Sequence, residues 1–69
     1  MTMDTETDIV RCWLIRETAG AYLLRDRDEE TREAFFPKSQ VSFRYRNPRT
    51  KEATAEIPLW LLDEKGWNS

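Results

Sequence analysis

The sequence contains no histidine and only one cysteine, Cys12. The first absence removes the side chain most used for general acid–base catalysis at neutral pH, and with it the usual zinc ligand sets. The second excludes a disulfide within the chain. Long apolar runs are missing too, and none approaches the roughly 18 residues of a membrane span. A basic, apolar leader is also lacking: residues 1–8 carry three acids and no base, the opposite of a signal peptide. With the lone thiol, this points to the cytoplasm. Glycine and proline are scarce, at two and three, so each marks a definite position. Internal repeats and low-complexity tracts are absent.

What remains is a chain of 69 residues, enough for one domain. A chain this short buries only roughly 60% of the surface its unfolded form exposes. Such a domain depends on dense packing, a metal, disulfides or a partner. Histidine and cysteine usage removes the second and third of these. Three Trp, two Tyr and three Phe then form the main core material, each able to bury on the order of 150–250 Å². Burial against a partner is the other route. The composition, 39% apolar and 35% charged with a net charge of −2, is too balanced and too aromatic for a disordered chain.

Read along its length, the chain begins with a short acidic lead, residues 1–8, expected to be disordered. A single β-rich domain follows over residues 9–69. Residues 9–18 are rich in β-branched and aromatic types and predict a strand. Both of its faces are largely apolar: Val10, Cys12 and Leu14 on one, Ile9, Trp13 and Ile15 on the other. That pattern predicts a strand that is central or covered on both sides. Ala19-Gly20 supplies a turn, Gly20 being free to take positive φ, and residues 21–25 complete a hairpin. Residues 26–31 form a polar connection and residues 32–36 a third strand, ended or held at an edge by Pro37. Lys38-Ser39-Gln40 make a turn. Residues 41–46 then alternate, with Val41, Phe43 and Tyr45 on one face and Ser42, Arg44 and Arg46 on the other. Asn47-Pro48 opens a further turn, and residues 52–57 give a fifth strand with Ala53, Ala55 and Ile57 on one face.

The end of the chain predicts a short helix. Pro58 suits the first helical position, where its missing N–H costs nothing, although Ile57 before it is a poor N-cap. Leu59 and Leu62 face together. Gly66 stands where a left-handed closing residue is wanted, and Trp67 where the closing motif packs back on Leu62. Trp60 and Trp67 are both expected in the core. The predicted fold class is mainly β: about five short antiparallel strands in a small bent sheet or SH3- or OB-like barrel, with one C-terminal helix.

Two segments carry a resemblance. Phe36-Pro37-Lys38-Ser39-Gln40-Val41, followed by Ile57-Pro58-Leu59-Trp60-Leu61-Leu62-Asp63-Glu64-Lys65-Gly66, resembles a family of small bacteriophage and mobile-element proteins. Its members have a W-hydrophobic-P-K-S-Q-hydrophobic segment and end in hydrophobic-P-x-W-L-A-E-K-K-G. Phe35 stands where that family has Trp, and Leu62-Asp63-Glu64 replaces its small-residue helix. The resemblance implies a mobile-element origin and a bacterial host cytoplasm. Small proteins of that origin often inhibit host defences, anti-CRISPR proteins among them, or assist phage DNA metabolism. No catalytic residue carries over from it.

Chemistry within the chain is sparse. Cys12 sits mid-strand with no histidine to activate it and reads as a packing residue. Ser39 reads as a turn residue, and Ser42 has no adjacent base. Asp26, Asp28, Glu29 and Glu30 lack the glycine and distal glutamate of a calcium loop and alternate with Arg25 and Arg27, so they read as a solvated hairpin end. No cofactor or metal is called for, and no enzyme is expected. The best functional lead is the stretch 38–51, where Lys38, Arg44, Arg46, Arg49 and Lys51 occur with no acid, a local charge of +5. One use of these residues is to contact nucleic-acid phosphates. Against it, Phe43 and Tyr45 are expected to face away from the arginines, and the chain's pI of 5.1 is far from the basic values, above about 9, of dedicated nucleic-acid modules. The arginines also suit pairing with acids on neighbouring strands. Another use is protein recognition, since arginine and aromatic side chains are enriched at interface hot spots. An edge strand near Pro37 or Arg44 would suit a partner strand or a second copy of the chain. The leading expectation is a non-enzymatic module that engages a host or phage protein, with accessory nucleic-acid binding as the alternative and no role at a membrane.

Overall fold

β-branched and aromatic residues dominate the first strand, β1 (Thr7–Glu17), and it becomes the middle of the molecule. The computed structural model describes residues 6–67. Within it, β2 (Ala21–Asp26), β3 (Glu33–Pro37), β4 (Ser42–Arg46) and β5 (Glu52–Pro58) join β1 in one sheet, and α1 (Leu59–Glu64) follows directly. The strand order is β3-β2-β1-β5-β4, and every neighbouring pair is antiparallel. The mainly β fold with one C-terminal helix is therefore as the sequence predicts. Residues 1–5 of the expected acidic lead lie outside the described residues. Thr7 and Asp8 belong to β1, paired with Pro58 and Ile57.

The sheet is open, with β3 and β4 as its two edges, and it curls strongly. Tyr22 of β2 and Phe43 of β4 meet edge to face, with ring centroids 4.8 Å apart. Two strands separate them, so in a flat sheet they would lie about 14 Å apart at ~4.8 Å per strand. Bulges help produce the curl, because an extra residue raises the local twist. One falls in β1 between Leu14 and Arg16, the other in β4 between Phe43 and Tyr45.

The concave face holds the core. Cys12, Leu24, Phe36, Ala53, Ala55 and Ile57 are fully or almost fully buried there, and Leu61, Leu62 and Trp67 close it from the C-terminal side. Small side chains at Cys12, Ala53 and Ala55 leave room over the centre of the sheet for these larger groups. Trp67 meets Phe36 edge to face at 4.9 Å. The helix is only six residues long, too short to persist alone, so its closure matters. Gly66 takes φ of 76°, its N–H reaches the Asp63 carbonyl, and the Trp67 N–H reaches the Leu62 carbonyl at 2.8 Å. This is the paired hydrogen-bond closure the Gly-Trp step predicts.

Three expectations need correction here. Pro58 is the N-cap and last strand residue, so Leu59 opens the helix; the Leu59 N–H finds its partner in the Glu6 carbonyl at 2.8 Å, not in an N-cap side chain. Trp60 is 52% exposed, because the two turns put Leu61 and Leu62 on the core side. Asp26 is buried, not a solvated loop carboxylate. It accepts the Asp28 N–H at 2.9 Å and faces Arg32 at 3.7 Å, whose guanidinium also donates to the Trp67 carbonyl at 3.1 Å. Arg32 thereby ties the end of the described chain to the β2–β3 connection.

Candidate functional site

β1 is central, as its composition predicts, yet the described residues cover only one of its faces. Residues opposite one another in antiparallel strands share a face, and the registers place Ile9 beside Glu56, Trp13 between Arg25 and Glu52, and Leu23 beside Phe35. None of Ile9, Trp13, Leu23 or Phe35 is buried. Ile9 and Phe35 are about half exposed, at 48% and 46%. Of the two arrangements the pattern allows, central or covered on both sides, β1 takes the first. The single helix is spent on the concave face, and among the described residues no second layer covers the other.

The β4 bulge corrects the expected alternation of that strand. Phe43 pairs with Ala55 and Arg46 with Ala53, which places both on the concave side. Tyr45 pairs with Thr54, on the open side. Arg44 is the inserted residue and turns to Glu56, 3.0 Å away. Arg44 and Arg46 thus do not share a face, and Tyr45, 52% exposed, joins the open surface instead of the core. One added residue reverses every side chain beyond it.

The five basic residues of 38–51 are accordingly dispersed. Lys38 donates to Glu17 at 2.7 Å and lies over the Tyr22 ring at 5.3 Å. Arg46 lies over the Phe43 ring at 5.0 Å and approaches Glu17 at 4.0 Å. Glu17 therefore bridges two cations that cap the Tyr22–Phe43 pair. Its carboxyl is held below the ordinary value of 4.5, first by the hydrogen bond from Lys38 and then by that ammonium's charge, with Arg46 adding to it. Arg44 and Thr7 both bond to Glu56, and this carboxyl is lowered too, the Thr7 hydroxyl contributing most. Arg49 sits exposed in the β4–β5 loop, its N–H bonded to the Asn47 side chain at 3.0 Å.

Lys51 is unusual. It takes φ of 69°, the only positive φ at a non-glycine position among the described residues. Its N–H bonds to the Asn47 carbonyl at 2.7 Å and its carbonyl accepts the Leu14 N–H at 2.8 Å, so the backbone on both sides holds it there. Between the β1 bulge and this loop lies a notch of about 230 Å³, lined by Arg16, Arg46 and Lys51 among others. The structure thus brings Arg46 and Lys51 together, adds Arg16, and leaves Lys38, Arg44 and Arg49 outside. Sequence reasoning missed Arg16, which follows the β1 bulge and borders the notch from the open side, because alternation gives no sign of that bulge.

Nucleophilic chemistry is not supported at Cys12. Burial pushes its thiol up to about 12, with the Asp26 carboxylate adding to the rise and Arg27 opposing it. Among the described residues no group of three or more His, Cys, Asp or Glu is placed to hold a metal ion, and no helix is long and apolar enough to cross a membrane. Compared with protein-family models, curated proteins and solved structures, the chain matches none.

Proposed function

We propose that the chain is a non-enzymatic binding module that engages a protein partner through the open face of its sheet. The observation that carries this reading is the uncovered second face of a central strand. Ile9, Trp13, Leu23, Phe35 and Tyr45 keep apolar surface toward solvent on a domain small enough to gain from burying it. Most arginines on the same side are already matched, Arg25 to Glu33 at 3.4 Å, Arg27 to Glu52 at 3.3 Å and Arg44 to Glu56 at 3.0 Å, and Arg16 beside Leu23 is the exception. Apolar side chains ringed by neutralised charge pairs suit a protein surface, where aromatic and arginine side chains supply hot spots. They suit a polyphosphate backbone poorly, because each pair would have to open. The accessory nucleic-acid reading relied on Arg44 and Arg46 acting from one face, and that geometry is absent.

The resemblance of the Phe36–Val41 and Ile57–Gly66 segments to phage and mobile-element proteins adds a direction. It makes the partner a host or phage protein, and inhibition of a bacterial defence system, of the anti-CRISPR type, the role in keeping with that origin. The test is capture from nuclease-treated bacterial lysate by the tagged wild type, Phe35→Glu and Arg49→Glu. A protein retained at fixed stoichiometry by wild type and Arg49→Glu, and lost with Phe35→Glu, supports the reading. Retention by all three, or material that disappears with nuclease, overturns it. Light scattering on the pure chain covers the remaining occupant: a dimer broken by Phe35→Glu would make the partner a second copy.

A further inference from the structure

The notch beside the β4–β5 loop carries a charge that the described residues do not cancel. Two acids line it, Glu17 and Glu52. Glu17 is held by Lys38 at 2.7 Å and Glu52 by Arg27 at 3.3 Å, and neither of those cations lines the notch. Of the three cations that do, Arg46 lies over the Phe43 ring at 5.0 Å and has one carboxylate contact, a 4.0 Å approach to Glu17. Arg16 and Lys51 have no carboxylate partner among the described residues. The remainder of the lining is apolar, from Leu14, Ile15, Pro48 and Ala53.

The backbone around the notch is specialised in three places. A bulge in β1 sets Arg16 beside Leu23 on the open side, and a bulge in β4 sets Arg46 beside Ala53 on the concave side, so the two arginines flank the notch from opposite faces. Bulges of this kind re-aim side chains, and they recur next to functional sites. At the rim, Lys51 is held in a left-handed conformation that glycine would adopt without strain. Strain of this sort persists only where surrounding structure fixes it, and it clusters at ligand sites. Here it places an ammonium where glycine would place nothing.

We infer that the notch binds a compact organic anion, a carboxylate on a small apolar body, held by Arg16, Arg46 and Lys51 over the Leu14–Pro48 floor. A volume of 230 Å³ is below the roughly 300–1,000 Å³ of sites for drug-sized ligands, which limits the occupant to a single ring or short chain. Guanidinium groups match a carboxylate as a fork, with two parallel hydrogen bonds. A free small acid and the terminal carboxylate of a peptide share this chemistry. The inference stands apart from the open-face reading, since neither Phe35 nor Tyr45 lines the notch.

The test is titration of the full ¹⁵N-labelled chain with benzoate, followed through the amide signals of residues 14–17 and 49–53. Saturable shifts in the millimolar range, confined to those residues, are expected. Benzyl alcohol, which lacks the charge, and inorganic phosphate, which lacks the apolar body, bind at least about tenfold more weakly. N-acetylphenylalanine against its amide separates the sources: binding by the acid identifies a chain terminus as an occupant, and binding by benzoate alone identifies a free small acid. Arg16→Gln weakens benzoate about tenfold. Lys51→Gly weakens it similarly while raising the thermal midpoint, a pair of opposite effects that a purely structural lysine would not give. Absence of saturable shifts, equal affinity for benzyl alcohol or phosphate, or unchanged affinity in both variants would overturn the inference.

Discussion

Phe35 and Phe36 are neighbours in β3 that point to opposite faces, and exchanging each for alanine separates the core from the open surface. Phe36 has no exposed area and stacks edge to face on Trp67 at 4.9 Å. Removing a fully buried phenyl ring costs about 3–5 kcal/mol, counting the cavity it leaves. The lost aromatic pair accounts for about 1 kcal/mol of that cost. A domain of this size has a total stability of roughly 3–10 kcal/mol at ~0.05–0.15 kcal/mol per residue. Phe36→Ala therefore removes much of the stability, and the variant is expected to be partly unfolded at 37 °C. Phe35, 46% exposed, keeps solvent contact in the native state, so Phe35→Ala costs about 1 kcal/mol or less. Its effect falls on partner binding. Urea titration followed by far-ultraviolet circular dichroism measures both variants on one scale. Equal destabilisation would refute the assignment of faces, and with it the claim that one side of the sheet is left open.

Other predictions follow from single residues. Lys51→Gly relieves a left-handed backbone that costs a side-chain-bearing residue about 1–2 kcal/mol, less the added unfolded-state freedom of glycine, about 0.5–1 kcal/mol; the same urea titration should show a net gain of up to about 1.5 kcal/mol. Arg32→Ala strips the buried Asp26 of its facing cation and frees the Trp67 carbonyl, a loss of about 2 kcal/mol, with faster hydrogen exchange at the Trp67 amide than elsewhere in the core. The folded Cys12 thiol stands above its ordinary value of 9.0, so its contribution to stability is complete below pH 9 and is lost as the pH rises from there toward about 12. Stability measured across that window should decline less steeply in Cys12→Ala. Glu17 and Glu56 are shifted the other way, so their contribution is present above pH 4.5 and is lost as the pH falls through their lowered folded values, a slope that Glu17→Gln with Glu56→Gln should flatten.

Much of the fold is legible in the sequence because local signals agree with one another. Apolar patterning places five strands within a residue or two of their bounds, Gly20 marks the first hairpin, and Gly66-Trp67 gives the helix closure with its hydrogen bonds. What the sequence hides is set by non-local geometry. The bulges at Ile15 and Arg44 leave no mark in composition, yet each inserts one residue, and alternation beyond it reverses. That is why Tyr45 leaves the core, Arg44 and Arg46 part, and Arg16 falls beside Leu23 on the open face. The apolar second face of β1 is visible as a pattern, but whether a second layer covers it depends on how the other elements pack. Among the described residues one six-residue helix covers one face, and Trp60 has no layer to enter. The charge run 38–51 reads as one patch only along the chain; in space Glu17, Glu56 and the loop divide it.

The most direct test of the central claim is the affinity of the captured partner for the wild type and for Phe35→Glu with Tyr45→Ser, after nuclease treatment and with both proteins shown to be folded. A one-protein complex is expected whose affinity falls about a thousandfold in the variant, the scale of a lost hot spot of about 2 kcal/mol at each of two positions. Unchanged affinity in a folded variant would contradict it, because the open face would then play no part in recognition.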